Sequence, residues 1–355
     1  MGLQGVLSGH QIDVLTTEYL VLLTPSVIGS FSVLVVSIAR WRQLREQVHL
    51  LVQLASADLL AALTLMSTSV LNKVNSDKGV TICQYLLPLS LTFYFISFLL
   101  VVAYAWKSKS LIQGWRECPT GEEAAQSQCR KKIVTFPVYA IVWMVPLLLY
   151  CAYVLTPFIT LANLVTAAHS TSNKISTPNS SDYCTSCILF LHVWRDSCSD
   201  AEELHDMFIR ASVFLIVISV LFSCSVIYHN IGKWYETRNH EGIFPVEGDG
   251  RSRKRTRRVF STARNMVMVI FFCWTPALFL ILLSGLMYWT SIEQRSLFFL
   301  YVIQSASVSL HGFLNSMVYA WRRPNFTEAV LGENTPLVAQ DHLAFFDESL
   351  RSSSC

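Results

Sequence analysis

The sequence predicts an all-α membrane protein built as a bundle of seven transmembrane helices. Only 14% of its 355 residues are charged and 52% are hydrophobic, whereas a soluble domain carries roughly 25% charged residues. The mean hydropathy is +0.43. Seven apolar stretches are each long enough to cross a bilayer core about 30 Å thick. This composition excludes a soluble fold, a disordered chain and a coiled coil.

The predicted spans follow from the lengths of these stretches, because a helix rises 1.5 Å per residue. A further apolar run, 184–194, is too short to cross. Because the number of spans is odd, the two termini should lie on opposite sides of the membrane. The predicted spans are 19–39, 50–71, 82–106, 133–156, 207–231, 265–289 and 296–320.

The distribution of Lys and Arg predicts the orientation of the bundle. Most of these residues lie between the first and second, third and fourth, or fifth and sixth spans, or in the tail. The positive-inside rule then places the amino terminus outside and the tail in the cytoplasm. The predicted parts are an extracellular segment 1–18, a bundle 19–320 with a large outer loop 157–206 and a basic inner loop 232–264, and a short membrane-surface helix with the tail over 321–355.

This orientation predicts that Asn179 is glycosylated and that Asn325 is not. Both begin an Asn-x-Ser/Thr acceptor motif, but only Asn179 lies on the outer side under the positive-inside rule. Glycosidase treatment should therefore shift the wild-type protein on a gel, and Asn179→Gln should abolish the shift. Asn325→Gln is the control and should keep it. A shift that survives Asn179→Gln contradicts the predicted orientation.

Several of the ten cysteines are predicted to lie on the outer side. Cys83 is at the outer end of the third span, and Cys184, Cys187 and Cys198 are in the outer loop. That compartment is oxidising, so we expect a disulfide from Cys83 to one of the three loop cysteines, and the sequence leaves the choice open. Cys184 and Cys187 have the Cys-x-x-Cys spacing of a zinc site, but the loop has no second pair with such spacing to complete the four ligands. We expect no metal and no cofactor.

Two features inside the spans favour a function over a purely structural role. Asp58 lies within the second span, and a carboxylate at membrane depth is costly unless it faces partners or water. In the sixth span, Pro276 follows Trp274 by two residues. A proline kinks a helix, so a bulky ring beside it forms a pivot. The alternative for Asp58 is a protonated acid that only holds helices together.

These features resemble those of the rhodopsin-like G-protein-coupled receptors over roughly 19–330. The resemblance implies an activation switch made of Trp274, Pro276, Asn315 and Tyr319, and a cytoplasmic face that opens to a G protein. The residues that carry it are the Leu-Ala-x-Ala-Asp pattern ending at Asp58, Cys83, Trp143, Cys273-Trp274-x-Pro276, Asn315-x-x-x-Tyr319 and Phe326.

The inner end of the third span departs from that family. Lys107 and Lys109 stand where the family has an acid and an arginine. A basic run also precedes the sixth span and would lie near an anionic leaflet. The attraction between such a leaflet and each basic residue contributes about 1 kcal/mol to membrane binding. We expect like charges to weaken the closed state, and coupling to be unusual or absent. The predicted coupling surface consists of Lys107, Lys109, Arg253, Lys254, Arg255, Arg257 and Arg258.

The resemblance also implies an ion pocket around Asp58. Its register, counted from Cys83, places Ser97 beside Asp58, and His311 and Asn315 are four residues apart and therefore share a helix face. The family holds a sodium ion with such groups, but His311 stands where one asparagine would be. We therefore expect a proton-sensitive pair of Asp58 and His311 and a weakened sodium effect. The alternative is a neutral His311 that is only hydrogen-bonded in the bundle.

The sequence therefore predicts a receptor that transmits an extracellular signal to the cytoplasm. We expect it in the plasma membrane or in an endosomal membrane. The third span has no acid to pair a cationic ligand, so we expect a neutral, lipidic or peptide ligand, no nucleic acid and no enzymatic activity. A scaffold or trafficking protein without signalling is the alternative. A transporter fits less well, because the spans contain few ionisable groups to line a path.

Overall fold

The computed structural model describes residues 7–39, 46–74, 77–114, 138–155, 187–191, 200–240, 250–287 and 294–321. Within these ranges the chain is helical and contains no strand. Seven of the helices described there are long and apolar enough to cross a membrane. The predicted all-α class with seven spans is thereby confirmed, and the orientation of the termini stays a prediction.

The first six spans are single helices. The seventh is divided into a 3₁₀ turn at Gln294–Leu297, two α-helices separated by a turn at Leu310, and a π-turn at Met317–Trp321. The helices are α1 (Gly9–Ala39), α2 (Glu46–Val74), α3 (Asp77–Gly114), α4 (Val138–Leu155), α5 (Asp200–His240), α6 (Gly250–Met287), α7 (Phe298–Ser309) and α8 (His311–Ser316).

Several helices are longer than the apolar stretches that predicted them. Residues 9–18, expected to precede the bundle, belong to α1. The predicted inner loop 232–264 is largely helical, since α5 continues to His240 and α6 begins at Gly250. Hydropathy detects only the part of a helix that lipid covers, whereas Lys, Arg and Glu continue a helix readily in water. In five helices the predicted span is therefore the apolar portion of a longer helix, namely α1, α2, α3, α5 and α6.

The bundle buries small, aromatic and aliphatic side chains in its core and exposes other large apolar side chains on its outer face. Ala57 and Ala61 of α2 are fully buried, and Ser90 of α3 donates a hydrogen bond to the carbonyl oxygen of Ala61 over 3.2 Å. On the outer face, Phe222 and Phe299 are 68% and 72% exposed. A soluble monomer rarely exposes so much apolar surface. This surface fits contact with lipid.

A short apolar segment, 187–191, is buried against the bundle, and we call it the plug. A disulfide joins its first residue, Cys187, to Cys83 of α3, with the two sulfurs 2.07 Å apart. Tyr301 of α7 donates a hydrogen bond to the carbonyl oxygen of Phe190 over 3.5 Å. All five plug residues are buried. Of the three partners that the sequence left open for Cys83, the structure joins it to Cys187.

Other predicted features lie outside the described residues. They are Cys184, Cys198, Asn179, Asn325 and the membrane-surface helix expected in the tail.

Candidate functional site

Four polar side chains meet in the core of the bundle, and we call them the polar site: Asp58 of α2, Ser97 of α3, and His311 and Asn315 of α8. Each is at most 2% exposed. Ser97 donates a hydrogen bond to Oδ1 of Asp58 over 2.6 Å, and the amide of Asn315 donates to Oδ2 over 3.0 Å. Both carboxylate oxygens therefore have a donor, as a buried acid requires. The structure brings together all the residues predicted for the ion pocket.

His311 contacts two members of this site through the same ring nitrogen. Its Nε2 lies 3.0 Å from Nδ2 of Asn315 and 3.8 Å from Oδ1 of Asp58. Because Nδ2 is a donor, Nε2 acts as the acceptor, and the ring proton is then on Nδ1. The contact to Asp58 is too long for a hydrogen bond but becomes an ion pair if Nε2 is protonated. His311 can therefore exchange one partner for another when its charge changes.

Two polar atoms of the site are buried without a hydrogen-bond partner among the described residues. They are Nδ1 of His311 and Oδ1 of Asn315. A buried polar group that lacks a partner costs about 1–3 kcal/mol. The site can therefore gain hydrogen bonds by rearranging or by taking up a small species. Within the described ranges, no group of three or more His, Cys, Asp and Glu side chains could hold a metal ion.

Aromatic rings connect the polar site to Trp274 of α6. Tyr94 and Phe98 of α3 lie one helical turn apart, and each packs edge to face against both His311 and Trp274. The ring centroids are 5.6 and 5.7 Å from His311, and 5.2 and 5.1 Å from Trp274. Such contacts contribute about 0.5–1.5 kcal/mol each. The imidazole and the ring of Trp274 therefore share two aromatic neighbours, and Trp274 lies two residues from Pro276 inside α6.

The other predicted switch and coupling residues are more distant from this centre along their helices. Tyr319 lies in the π-turn that ends the seventh span. Lys107 and Lys109 lie on α3 beyond its apolar part, which ends at Trp106. The basic residues of the predicted coupling surface in α6 precede its apolar part, which begins at Arg264. They belong to the helical extensions and not to the polar site.

The sequence did not predict the parts played by Tyr94, Phe98 and Ser26. Nothing in the sequence marks Tyr94 and Phe98 among the other aromatic residues of the chain. Ser26 of α1 donates a hydrogen bond to the carbonyl oxygen of Ser309 over 2.5 Å. No signal in the sequence separates Ser26 from the other serines of the spans.

Comparison with known proteins corrects the family that the sequence motifs suggested. The family model of transmembrane protein 116 matches residues 15–340. No curated protein matches the chain. The assignment to the rhodopsin-like receptors is therefore wrong. It depended on a few isolated residues in the order of seven apolar spans, and a different family of membrane proteins can meet that pattern. Because the match covers most of its length, the chain belongs to the transmembrane protein 116 family.

Proposed function

We propose that this multi-pass membrane protein is a seven-helix sensor in which a change of charge at the polar site alters the packing of α6. The supporting observation is the carboxylate of Asp58, fully buried against Ser97, Asn315 and a histidine. An ionisable group at membrane depth is a functional candidate by default. Imidazole is the side chain whose charge changes between about pH 5 and 8 in the absence of other influences.

The proposed mechanism begins with proton uptake at Nε2 of His311. The protonated nitrogen no longer accepts a hydrogen bond from Asn315, so that contact is lost and the imidazolium turns toward Oδ1 of Asp58. The amide of Asn315 keeps its hydrogen bond to Oδ2 of Asp58. Tyr94 and Phe98 follow the ring because they pack against it, and Trp274 follows them.

The groups around His311 allow this exchange. Asp58 faces it from α2, and Tyr94 faces it from α3. Cys273 of α6, directly before Trp274, is also buried. At a separation of about 4 Å, opposite unit charges attract by about 4 kcal/mol in surroundings of intermediate polarity. Asp58 is the acid among these groups, and it decides how the site responds.

The imidazole should also keep sodium out of the site. In the wild type we expect little stabilisation by sodium, because His311 occupies the space beside Asp58 and repels a cation when charged. The variant His311→Asn supplies an amide oxygen in its place, and hard cations prefer oxygen ligands. We expect the melting temperature of this purified variant to rise with sodium at neutral pH and that of the wild type to stay unchanged.

The matched control is His229→Asn, which changes an exposed histidine of α5. It should behave as the wild type does. Strong stabilisation of the wild type by sodium, with no gain in His311→Asn, would contradict the proposal and indicate an ordinary sodium site.

The proposal includes the consequences of this chemistry for location and partners. A proton-sensitive core suits the plasma membrane or an acidifying endosome, with the amino terminus outside. The helical extensions of α3, α5 and α6 then face the cytoplasm and offer a basic surface to a transducer, of which a G protein is one. We propose that the protein is not an enzyme. We propose a neutral, lipidic or peptide ligand.

A scaffold or trafficking role without signalling is the second candidate. The observation that favours it is the plug, whose buried apolar residues cover the bundle beside Cys83. Proximity labelling from the tail, at neutral and acidic external pH, separates the two. A sensor predicts that the set of labelled partners changes with pH in the wild type and not in His311→Asn. A scaffold predicts the same partners throughout.

A further inference from the structure

The seventh span is interrupted next to the polar site, and a side chain from another helix lies in the interruption. Its helical hydrogen bonding changes at Leu310, directly before His311. The hydroxyl of Ser26, from α1, donates to the carbonyl oxygen of Ser309 over 2.5 Å and accepts from the backbone N–H of Phe313 over 3.1 Å. Ser26 thus touches both sides of the turn.

These two backbone groups are the ones that an unbroken helix would join to each other. Phe313 follows Ser309 by four residues, and an α-helix bonds each N–H to the carbonyl four residues before it. The Ser26 hydroxyl occupies the place of that bond. Insertion of a side chain into the hydrogen-bond ladder is a recognised cause of helix bending, and serine hydroxyls can satisfy freed backbone groups inside a membrane.

Small residues allow α1 to come close enough for this insertion. A Cβ atom added to Gly312 would lie 3.1 Å from Oγ of Ser30 and 3.4 Å from the Cβ atoms of Asp58 and Ser26. Gly29 of α1 has a similarly close neighbour, since an added Cβ would lie 3.4 Å from Ser316. Small residues at helix contacts in membranes permit such close approach. The interruption is therefore formed by α1 and the seventh span together.

We propose that Ser26 is the positioning residue of the polar site: its inserted hydroxyl holds the interruption of the helix at Leu310 and so directs His311 and Asn315 toward Asp58. The inference deepens the proposed proton-sensing function and rests on it for its consequences. Ser26 touches none of the four residues of the site through a hydrogen bond, and it acts through the backbone on which two of them lie. Helix α1 thereby helps to set how the site responds to a proton.

The variant Ser26→Ala tests the structural part. Without the hydroxyl, Phe313 N–H should bond directly to the carbonyl oxygen of Ser309, and the interruption at Leu310 should become continuous α-helix. Structures of this variant and of the wild type, each bound to an antibody fragment as a fiducial, would show it. Ser37→Ala is the matched control, because Ser37 is also a fully buried serine of α1, and its hydroxyl has no hydrogen-bond partner among the described residues. An interruption that persists in Ser26→Ala overturns the inference.

The functional part is tested by the change in melting temperature between pH 5.5 and 7.5, two conditions that bracket the ordinary titration of histidine. Ser26→Ala should lose at least half of the wild-type difference, while Ser37→Ala and Ser26→Thr, which keeps a hydroxyl, should retain it. In a His311→Asn background, Ser26→Ala should change the difference no further. Additive effects of the two substitutions would overturn the positioning role.

The two measurements separate the inference from the proposed function. If the wild type shows no difference between the two pH values, the sensing function fails, but the loss of the interruption in Ser26→Ala still supports the role of Ser26 in the backbone. If the wild type responds to pH and Ser26→Ala responds equally, the positioning role is overturned and the sensing function stands.

Discussion

Replacing Cys83 with serine should lower the free energy of unfolding by about 2–4 kcal/mol, the usual contribution of a disulfide. The bond between Cys83 and Cys187 closes a loop with a sequence separation of 104. It also holds the five buried plug residues against the bundle. Without the disulfide, the plug has many more conformations in the unfolded state. It therefore loses more conformational entropy when it packs against the bundle. Thermal unfolding of the purified protein under oxidising conditions would measure the loss.

Two variants make this prediction specific. Cys187→Ser should cost as much as Cys83→Ser, and the double variant should cost no more than either, because all three lack the same bond. Cys151→Ser is the control, since Cys151 of α4 is a free, exposed thiol. A Cys83→Ser protein that unfolds at the wild-type temperature would contradict the bond.

Replacing Asp58 with leucine should cost about 2–5 kcal/mol. The substitution leaves the hydroxyl of Ser97 and the amide of Asn315 buried without their acceptor, and each such group costs about 1–3 kcal/mol. Asp58→Asn keeps the shape and one acceptor oxygen, so it should cost less. It should nevertheless remove the pH response completely, because the charge opposite His311 is gone. Unfolding in detergent at several pH values would measure both effects.

The control for Asp58 is Asp13→Leu, which changes an exposed carboxylate of α1. It should leave both the stability and the pH response close to those of the wild type. If Asp58→Leu is as stable as the wild type, the carboxylate is not the centre of a satisfied network, and the polar site loses its role.

The number of spans was predictable because lipid imposes a simple requirement. A crossing helix needs about 20 apolar residues, and the chain has seven such stretches. Their ends were not predictable in the same way. Residues 9–18 contain the exposed Asp13, yet they continue α1, because a polar residue at the end of a span can reach water while the backbone stays helical.

The polar site was partly predictable for a related reason. Asp58 is conspicuous in an apolar span, and His311 and Asn315 share a face through their spacing. The contacts of Tyr94 and Phe98 with His311 and Trp274 were not predictable. The chain has 21 Phe and 13 Tyr, and nothing in the sequence marks these two among them. The contact of Ser26 with the seventh span was also hidden, since it joins residues 283 positions apart.

The resemblance to receptors predicted one contact correctly and the family wrongly. The register taken from it placed Ser97 beside Asp58, and the structure has a hydrogen bond of 2.6 Å there. It gave the wrong family, because single residues in apolar spans carry little information about descent. Lys107 and Lys109 stand where the receptors have an acid and an arginine. This difference was the sign in the sequence that the chain belongs to another family.

The central claim is that the charge of His311 reaches Trp274, and fluorine NMR of protein labelled with 5-fluorotryptophan tests it most directly. The chain has nine tryptophans, and Trp274→Phe identifies the resonance of interest by its disappearance. The account predicts that this resonance shifts between pH 5.5 and 7.5 in the wild type, bracketing the ordinary titration of histidine, and stays fixed in His311→Asn and Asp58→Asn. A Trp274 resonance that is indifferent to pH in the wild type, or that shifts equally in His311→Asn, would contradict it.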